Sequence, residues 1–199
     1  MNIVKSLRST ALLLAATAFA AAASAQTSTW KIDPVHSGIE FKVRHLGVSN
    51  VHGTFTHPSG TVVLNEKDIT KSSVDAIVDA TTVTTNETAR DKHIKSDAFF
   101  NVEKNPTMAF KSTSIYKEGG KLMMKGDLTL VGVTKPVVLT LDGPSTPQTD
   151  AKGVTRSGFS ASGILSRKDF NFGANAGPAN AAIGDEVTIS IDVEMDKQP

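Results

Sequence analysis

An apolar–polar alternation with a period of two, recurring from Ile39 to Met195, limits this chain's folds more than any other feature. Successive side chains of a strand point to opposite faces, so alternation marks a strand with one dry and one wet face. "SGIEFKVRH" sets Ile39, Phe41 and Val43 against Glu40, Lys42 and Arg44. The pattern returns with Val74, Ala76 and Val78, then with Met108 and Phe110, then with Leu122, Met124, Leu128 and Leu130. It continues with Val137, Leu139 and Leu141, and ends with Val187, Ile189, Ile191, Val193 and Met195. "GTFTH", holding Phe55, and "GFSASGILS", holding Phe159, complete the set. Turn residues separate the segments at His57-Pro58-Ser59-Gly60, Glu118-Gly119-Gly120, Asp142-Gly143-Pro144 and Ala151-Lys152-Gly153. About eight half-wet strands predict an all-β antiparallel fold, a barrel or a sandwich.

One segment breaks the pattern. Between Thr84 and Phe100 the stretch "ETARDKHIK" has neither glycine nor proline, and Thr84 with Glu87 makes a capping-box spacing. A short helix is expected there, lying across one end of the strands. It leads directly into the adjacent Phe99 and Phe100.

The first residues are set aside from the fold. Lys5 and Arg8 precede an apolar run from Ala11 to Ala23, closed by Ala23-Ser24-Ala25, which is the order of a secretory signal peptide. Residues 1–25 are therefore expected to be removed, and residues 26–199 to form one domain. Without Lys5 and Arg8, 19 basic residues face 20 acidic ones, a net charge of −1 that gives no reason to expect a nucleic-acid partner. The chain has no cysteine, which excludes disulfides, thiolate metal sites and cysteine nucleophiles.

The inward positions are aliphatic, with the adaptable Met108 and Met124, and include no tryptophan or tyrosine. Small residues such as Gly126, Gly163, Ala76 and Ala161 leave room inside, whereas a purely structural β-domain would have a filled core. His45, His52, His57 and His93 have no HxH or HExxH spacing, so no metal site is expected. Ser96 or Ser37 beside His93 or His36 lacks a nucleophile elbow, and Asp91 with Asp169 is the one candidate carboxylate pair for hydrolysis. The favoured role for those acids is to pair with Arg90 and Arg167.

Four ordered blocks carry a family resemblance: "IDPVHSGIEFKVRHLGVSNVHGTF", "RDKHIKSDAFFNVEKNPTMAFKS", "GDLTLVGVTKPVVL" and "SRKDFNFG". Together they resemble the YceI-like family over nearly all of Trp30 to Met195. Ala98 and Asn101 stand where acids are commoner in that family, and Asn171 separates Phe170 from Phe172-Gly173. The resemblance implies an eight-stranded antiparallel lipocalin-like barrel with a short helix at one end and a long apolar tunnel. It implies a periplasmic binding protein, not an enzyme, that carries a long-chain isoprenoid lipid such as a polyprenyl phosphate or an isoprenoid quinone. Alternatives are a binder of fatty acid-type amphiphiles and a hydrolase of a lipid-like substrate. No cofactor is expected beyond that bound lipid, with transient membrane contact and a monomeric or homodimeric state.

Within that frame the tunnel lining is expected from Ile39, Phe41, Val43, Phe55, Val78, Phe99, Phe100, Met108, Phe110, Met124, Leu128, Leu130, Phe159 and Ile189. The head-group rim is expected from His45, Arg90, His93 and Arg167, with Asp91 and Asp169 as structural partners that orient the arginines.

Overall fold

A computed structural model describes residues 27–199. The expected signal peptide, residues 1–25, lies outside the described residues. Eleven strands form one antiparallel sheet. In chain order they are β1 (Thr27–Ile32), β2 (Gly38–His45), β3 (Ser49–Thr56), β4 (Ser59–Asn65), β5 (Ser73–Asp79), β6 (Thr107–Glu118), β7 (Lys121–Leu130), β8 (Val133–Asp142), β9 (Gln148–Thr149), β10 (Thr155–Ser166) and β11 (Ile183–Lys197). Helix α1 (Thr88–Lys95) lies between β5 and β6, and a single helical turn, α2 (Pro178–Ala182), precedes β11.

Strand β11 closes the sheet. One of its edges pairs with β10 from Arg156–Asp196 to Ser166–Glu186. Its other edge is shared, β2 taking Ile183 to Asp192 and β1 taking Met195 to Lys197. Strands β1 and β2 thus occupy one position of the barrel, and their partners β4 and β3 occupy the next. The result is a closed barrel with eight positions around its circumference, as the resemblance implied, and it decides between the barrel and the sandwich that the alternation left open. Closure removes the unpaired edges that an open sheet exposes.

Strands β1 and β4 were not legible as strands. "TSTWKI" is short and its inward positions include Ser28, while "TVVLN" is apolar on both faces. Their omission produced an error about the core. Trp30 points inward and is only 1% exposed, and its indole N–H donates to Ser28 Oγ at 2.8 Å. Around it pack Ile32, Val62, Leu64, Val74, Ile115, Met124, Leu139, Ala161, Val193 and Met195. This cluster fills one end of the barrel. Each fully buried side chain of this size contributes about 1.5–3 kcal/mol, so this end supplies most of the hydrophobic stabilisation.

The Phe110 ring lies directly over Gly126 on the neighbouring strand, occupying the space that a side chain there would need. Phe41 covers Gly53 in the same way. Both glycines let an aromatic ring lie flat against the wall.

Helix α1 crosses the other end of the barrel, as expected, but it is capped differently. Its N-cap is Glu87, whose carboxylate accepts from the N–H groups of Ala89 and Arg90 at 3.2 and 2.6 Å. Thr84 stands outside the helix, where its hydroxyl donates to Asp91.

A substitution at Gly126 tests the aromatic cover. Gly126→Ala should destabilise by about 1–3 kcal/mol, because Phe110 has to leave its rotamer. Gly38→Ala, with nothing within 4 Å of the added carbon, should be neutral or slightly stabilising in the same denaturant titration.

Candidate functional site

The barrel half under α1 is not filled. A cavity of about 270 Å³ lies there, bounded by the ends of β2, β3, β6, β7, β10 and β11, by α1 and by the segment 170–183. Of the residues expected to line a tunnel, Phe41, Val43, Phe55, Phe99, Phe100, Met108, Leu128, Leu130 and Ile189 do face this space. Ile39 and Val78 pack behind it against the Phe55–Phe100 cluster. Phe110, Met124 and Phe159 belong to the packed end. Alternation tells which face of a strand is inward, but says nothing of depth along the barrel axis. The apolar interior is therefore half core and half cavity, and not one long tunnel.

Several lining residues were missed. Val51, Leu165 and Val187 share the inward parity of their strands, so the alternation could have found them. Phe170, Phe172, Ala179 and Ala182 come from a stretch with no periodicity and carried no such signal.

The motif RDKHIKSDAFF builds the wall and the rim together. After α1 the chain turns so that Phe99 and Phe100 are buried, 4% and 6% exposed. A run of aromatic contacts then leads from interior to surface: Phe41–Phe55 at 5.7 Å between centroids, Phe55–Phe100 at 5.6 Å, Phe100–Phe172 at 4.6 Å and Phe172–Phe99 at 5.5 Å. It ends at His93, edge-on to Phe99 at 5.1 Å. Edge-to-face pairs of this kind each add about 0.5–1.5 kcal/mol beyond burial.

The four expected rim residues, His45, Arg90, His93 and Arg167, all border the cavity, but they differ in what they can offer. Arg167 is 3% exposed and its guanidinium is saturated. Nε donates to Gly184 O, Nη1 to Phe172 O and Asn180 Oδ1, and Nη2 to Asn180 O and Ile183 O, at 2.7–2.9 Å. All five donors are used, so none remains for a ligand. Burial pushes the Arg167 pKa down, against the opposing charge of Asp185. The expected Asp169 partnership is not formed: Asp169 is exposed and makes no ion pair with Arg167 among the described residues. Five acceptors on the segment 172–184 replaced the carboxylate, and no sequence spacing announces main-chain acceptors.

Arg90 is exposed and is held by Thr85, with Nε donating to the hydroxyl at 2.7 Å and Nη2 to the carbonyl at 3.0 Å. Asp91 reaches the same residue, and not the arginine. It accepts from the Thr84 hydroxyl, the Thr85 N–H and the Thr85 hydroxyl at 2.6–2.7 Å. Partial burial works against the charged form, but these donors outweigh it and hold the carboxyl below the ordinary carboxylate range. Asp91 thus fixes the loop before α1, and Arg90 Nη1 makes no hydrogen bond among the described residues.

The candidate serine–histidine pairs make no side-chain hydrogen bond to each other among the described residues. Ser96 Oγ donates to the His93 carbonyl, and Ser37 Oγ exchanges hydrogen bonds with the main chain of Glu194. His36 turns instead to Asp33, with Nδ1 2.7 Å from Oδ2, which raises the His36 pKa and lowers that of Asp33. With Glu194 these two form a group of potential metal-ligand atoms within 4.8 Å of one another. Arg156 already pairs with one member of that group, its Nε 3.3 Å from Glu194, while its Nη1 lies 2.6 Å from Asp150. The group lies at the packed end, roughly 35 Å along β11 from Ile183 at the cavity, so it takes no part in the cavity's chemistry.

Two outcomes follow from this geometry. Arg167→Ala strands five acceptors and should cost about 3 kcal/mol or more in thermal or chaotrope unfolding, whereas Arg90→Ala should cost about 1 kcal/mol or less. Asp91 has a depressed folded-state pKa, so its contribution is fully present above the unfolded value of about 3.9 and is lost as pH falls through the folded value. The stability gap between the native chain and Asp91→Asn should therefore be constant near neutrality and shrink below about pH 4.

Comparison with known proteins agrees with the geometry. A profile of the YceI-like domain matches residues 30–195. Protein YceI of Escherichia coli O6:H1 is 42% identical over 176 residues, covering 87% of this chain and 89% of that one. The crystal structure of the Campylobacter jejuni YCEI protein superposes with a TM-score of 0.67 at 29% identity, covering 79% of this chain and 91% of that one. A polyisoprenoid binding domain from Saccharophagus degradans, implicated in plant cell wall breakdown, shares the fold at a TM-score of 0.63 and 13% identity, over 85% and 98% of the two chains. A closed barrel with one end packed and one end hollow, matched by this profile over nearly its whole length, places the chain in the YceI-like family.

Proposed function

We propose that this protein is an exported, periplasmic carrier of a long-chain isoprenoid lipid, a polyprenyl phosphate or isoprenoid quinone, and performs no chemistry on it. The observation that carries this reading is a cavity walled by aliphatic and aromatic side chains whose polar groups sit only at its border. The tail lies against Met108, Leu128, Leu130 and Ile189, and the head lies near His45, Arg90 and His93. Met108 and the tilted phenylalanines accommodate a branched chain without directional bonds. That a domain of the same fold from Saccharophagus degradans is a polyisoprenoid binding domain supports the choice of ligand class at the level of fold.

The division of labour at the rim follows from donor supply. Arg167 has no donor left, so the head group is read by Arg90 Nη1 and the His93 ring. A binding role without turnover is consistent with Ser96, Ser37 and Asp91 each being occupied by main-chain or threonine partners.

Organic extraction of the purified protein, followed by mass spectrometry, should release an isoprenoid lipid in near-stoichiometric amount. Leu128→Trp, which puts an indole into the cavity where the tail would lie, should remove that lipid while the barrel still unfolds cooperatively. His93→Ala should weaken a polar-headed isoprenoid several-fold more than the corresponding hydrocarbon, by losing one hydrogen bond of about 1 kcal/mol. Equal weakening of both ligands, or lipid retained in Leu128→Trp, would show the reading to be wrong.

A further inference from the structure

The cavity gives way to the packed end within a short distance along each strand, and Phe110 stands at that boundary. On β6, Met108 lines the cavity, while Phe110, two positions on, packs against the core around Trp30. On β7, Leu128 lines the cavity and Met124 is 2% exposed in the core, with Gly126 between them. On β11, Ile189 both lines the cavity and packs against the core, and Val193 is buried within it. The change from hollow to filled therefore takes two to four positions of a strand, about 7–13 Å.

The bulk at this boundary comes from one side chain. The ladder partners of Phe110 are Ala76 on β5 and Leu128 on β7, and its ring lies over Gly126. Ala76 and Gly126 add almost no side chain of their own, so on this wall it is the ring that ends the cavity. Phe110 points inward, since Ala109 and Lys111 on either side of it are exposed, yet it is only half-buried. Its uncovered surface therefore looks into the barrel interior. A ring with one face on the wall and another in open space is a floor.

A floor fixes a length. An apolar cavity of about 150 Å³ takes one benzene, six carbons, so about 270 Å³ takes roughly eleven carbons, or two isoprene units. We infer that Phe110 determines how much isoprenoid tail the barrel reads: its ring closes the cavity after about two isoprene units, and each further unit has to displace it from Gly126. The displacement is unfavourable because the space beyond belongs to the core that holds Met124 and Trp30. The inference rests on the carrier reading, and it adds that affinity stops growing with tail length once the floor is reached.

The test is equilibrium binding of geranyl, farnesyl and geranylgeranyl diphosphate, which carry two, three and four isoprene units, to the purified chain freed of bound lipid. Geranyl diphosphate fills the native cavity, so the two longer compounds should bind within about threefold of it. In Phe110→Ala the lost ring leaves room for one more unit, and farnesyl diphosphate should then bind at least about tenfold more tightly than geranyl diphosphate, because further carbons leave water. Phe110→Leu, which keeps the barrel apolar and better filled, should show a smaller gain in the same direction, and it carries the test if the alanine variant does not fold. Phe159→Leu makes the same change inside the packed end, and should lower the melting temperature while leaving the native length dependence intact. Native affinity that climbs about tenfold with every added unit, native length dependence in a folded Phe110 variant, or a Phe159→Leu protein that gains length like Phe110→Leu would overturn the inference. Failure of the carrier reading looks different: the native chain then binds none of the three diphosphates and none of the parent alcohols, and the length limit falls with it. An even climb with length refutes the limit alone.

Discussion

Everything in this barrel depends on β11 being paired on both edges along most of its length. Its fifteen residues run from the mouth of the cavity at Ile183 to the packed end at Lys197. Because β2 takes the first part of one edge and β1 the last, two short strands are enough to line the full height of one wall. The division also separates two environments on one strand. Val193 and Met195 close the core around Trp30, whereas Val187 and Ile189 face empty space. One alternating sequence thus serves a filled end and a hollow end, and the difference is made by what the opposite walls contribute.

The hollow end needs a roof, and Arg167 provides the attachment. Between the anchors Phe172 and Ile183 the segment consists mostly of small residues, offers little hydrophobic area and follows no repeating pattern. A buried guanidinium with five main-chain and amide acceptors fixes such a segment where side-chain packing cannot, because each bond is directional and water is absent. Desolvation of that charge is costly, and full use of the donors is what makes it tolerable. The roof in turn supplies Phe172 to the aromatic run that holds Phe99 and Phe100, so clasp and cavity wall are mechanically one unit.

The fold and the inward faces were legible because alternation is a local property of each strand. Depth was not, since whether Phe110 meets a cavity or a core depends on Gly126 and Met124 across the sheet. Trp30 was misread for a related reason: six residues with Ser28 among the inward positions carry too weak a pattern to announce a strand. At the rim, the expected arginines and histidines do border the cavity, but the partners of the arginines are not the expected ones. Arg167 was expected to pair with Asp169, yet carbonyls took that place, and Asp91 was expected to orient Arg90, yet both converge on Thr85. Main-chain acceptors are invisible in a sequence, which is why ion pairs are over-predicted from charged motifs.

On the proposed carrier reading, the remaining physical question is how the cavity competes with a membrane. An isoprenoid tail gains about 0.8 kcal/mol per methylene on leaving water, but that gain has already been realised in a bilayer. On that reading the cavity wall would offer mainly shape, and exchange would be governed at the opening, where Arg90 and His93 border the cavity. A carrier that gripped the tail much better than lipid does would not release it. A lining of aliphatic side chains with few hydrogen bonds fits the proposed carrier, which would both take up and give back the same molecule.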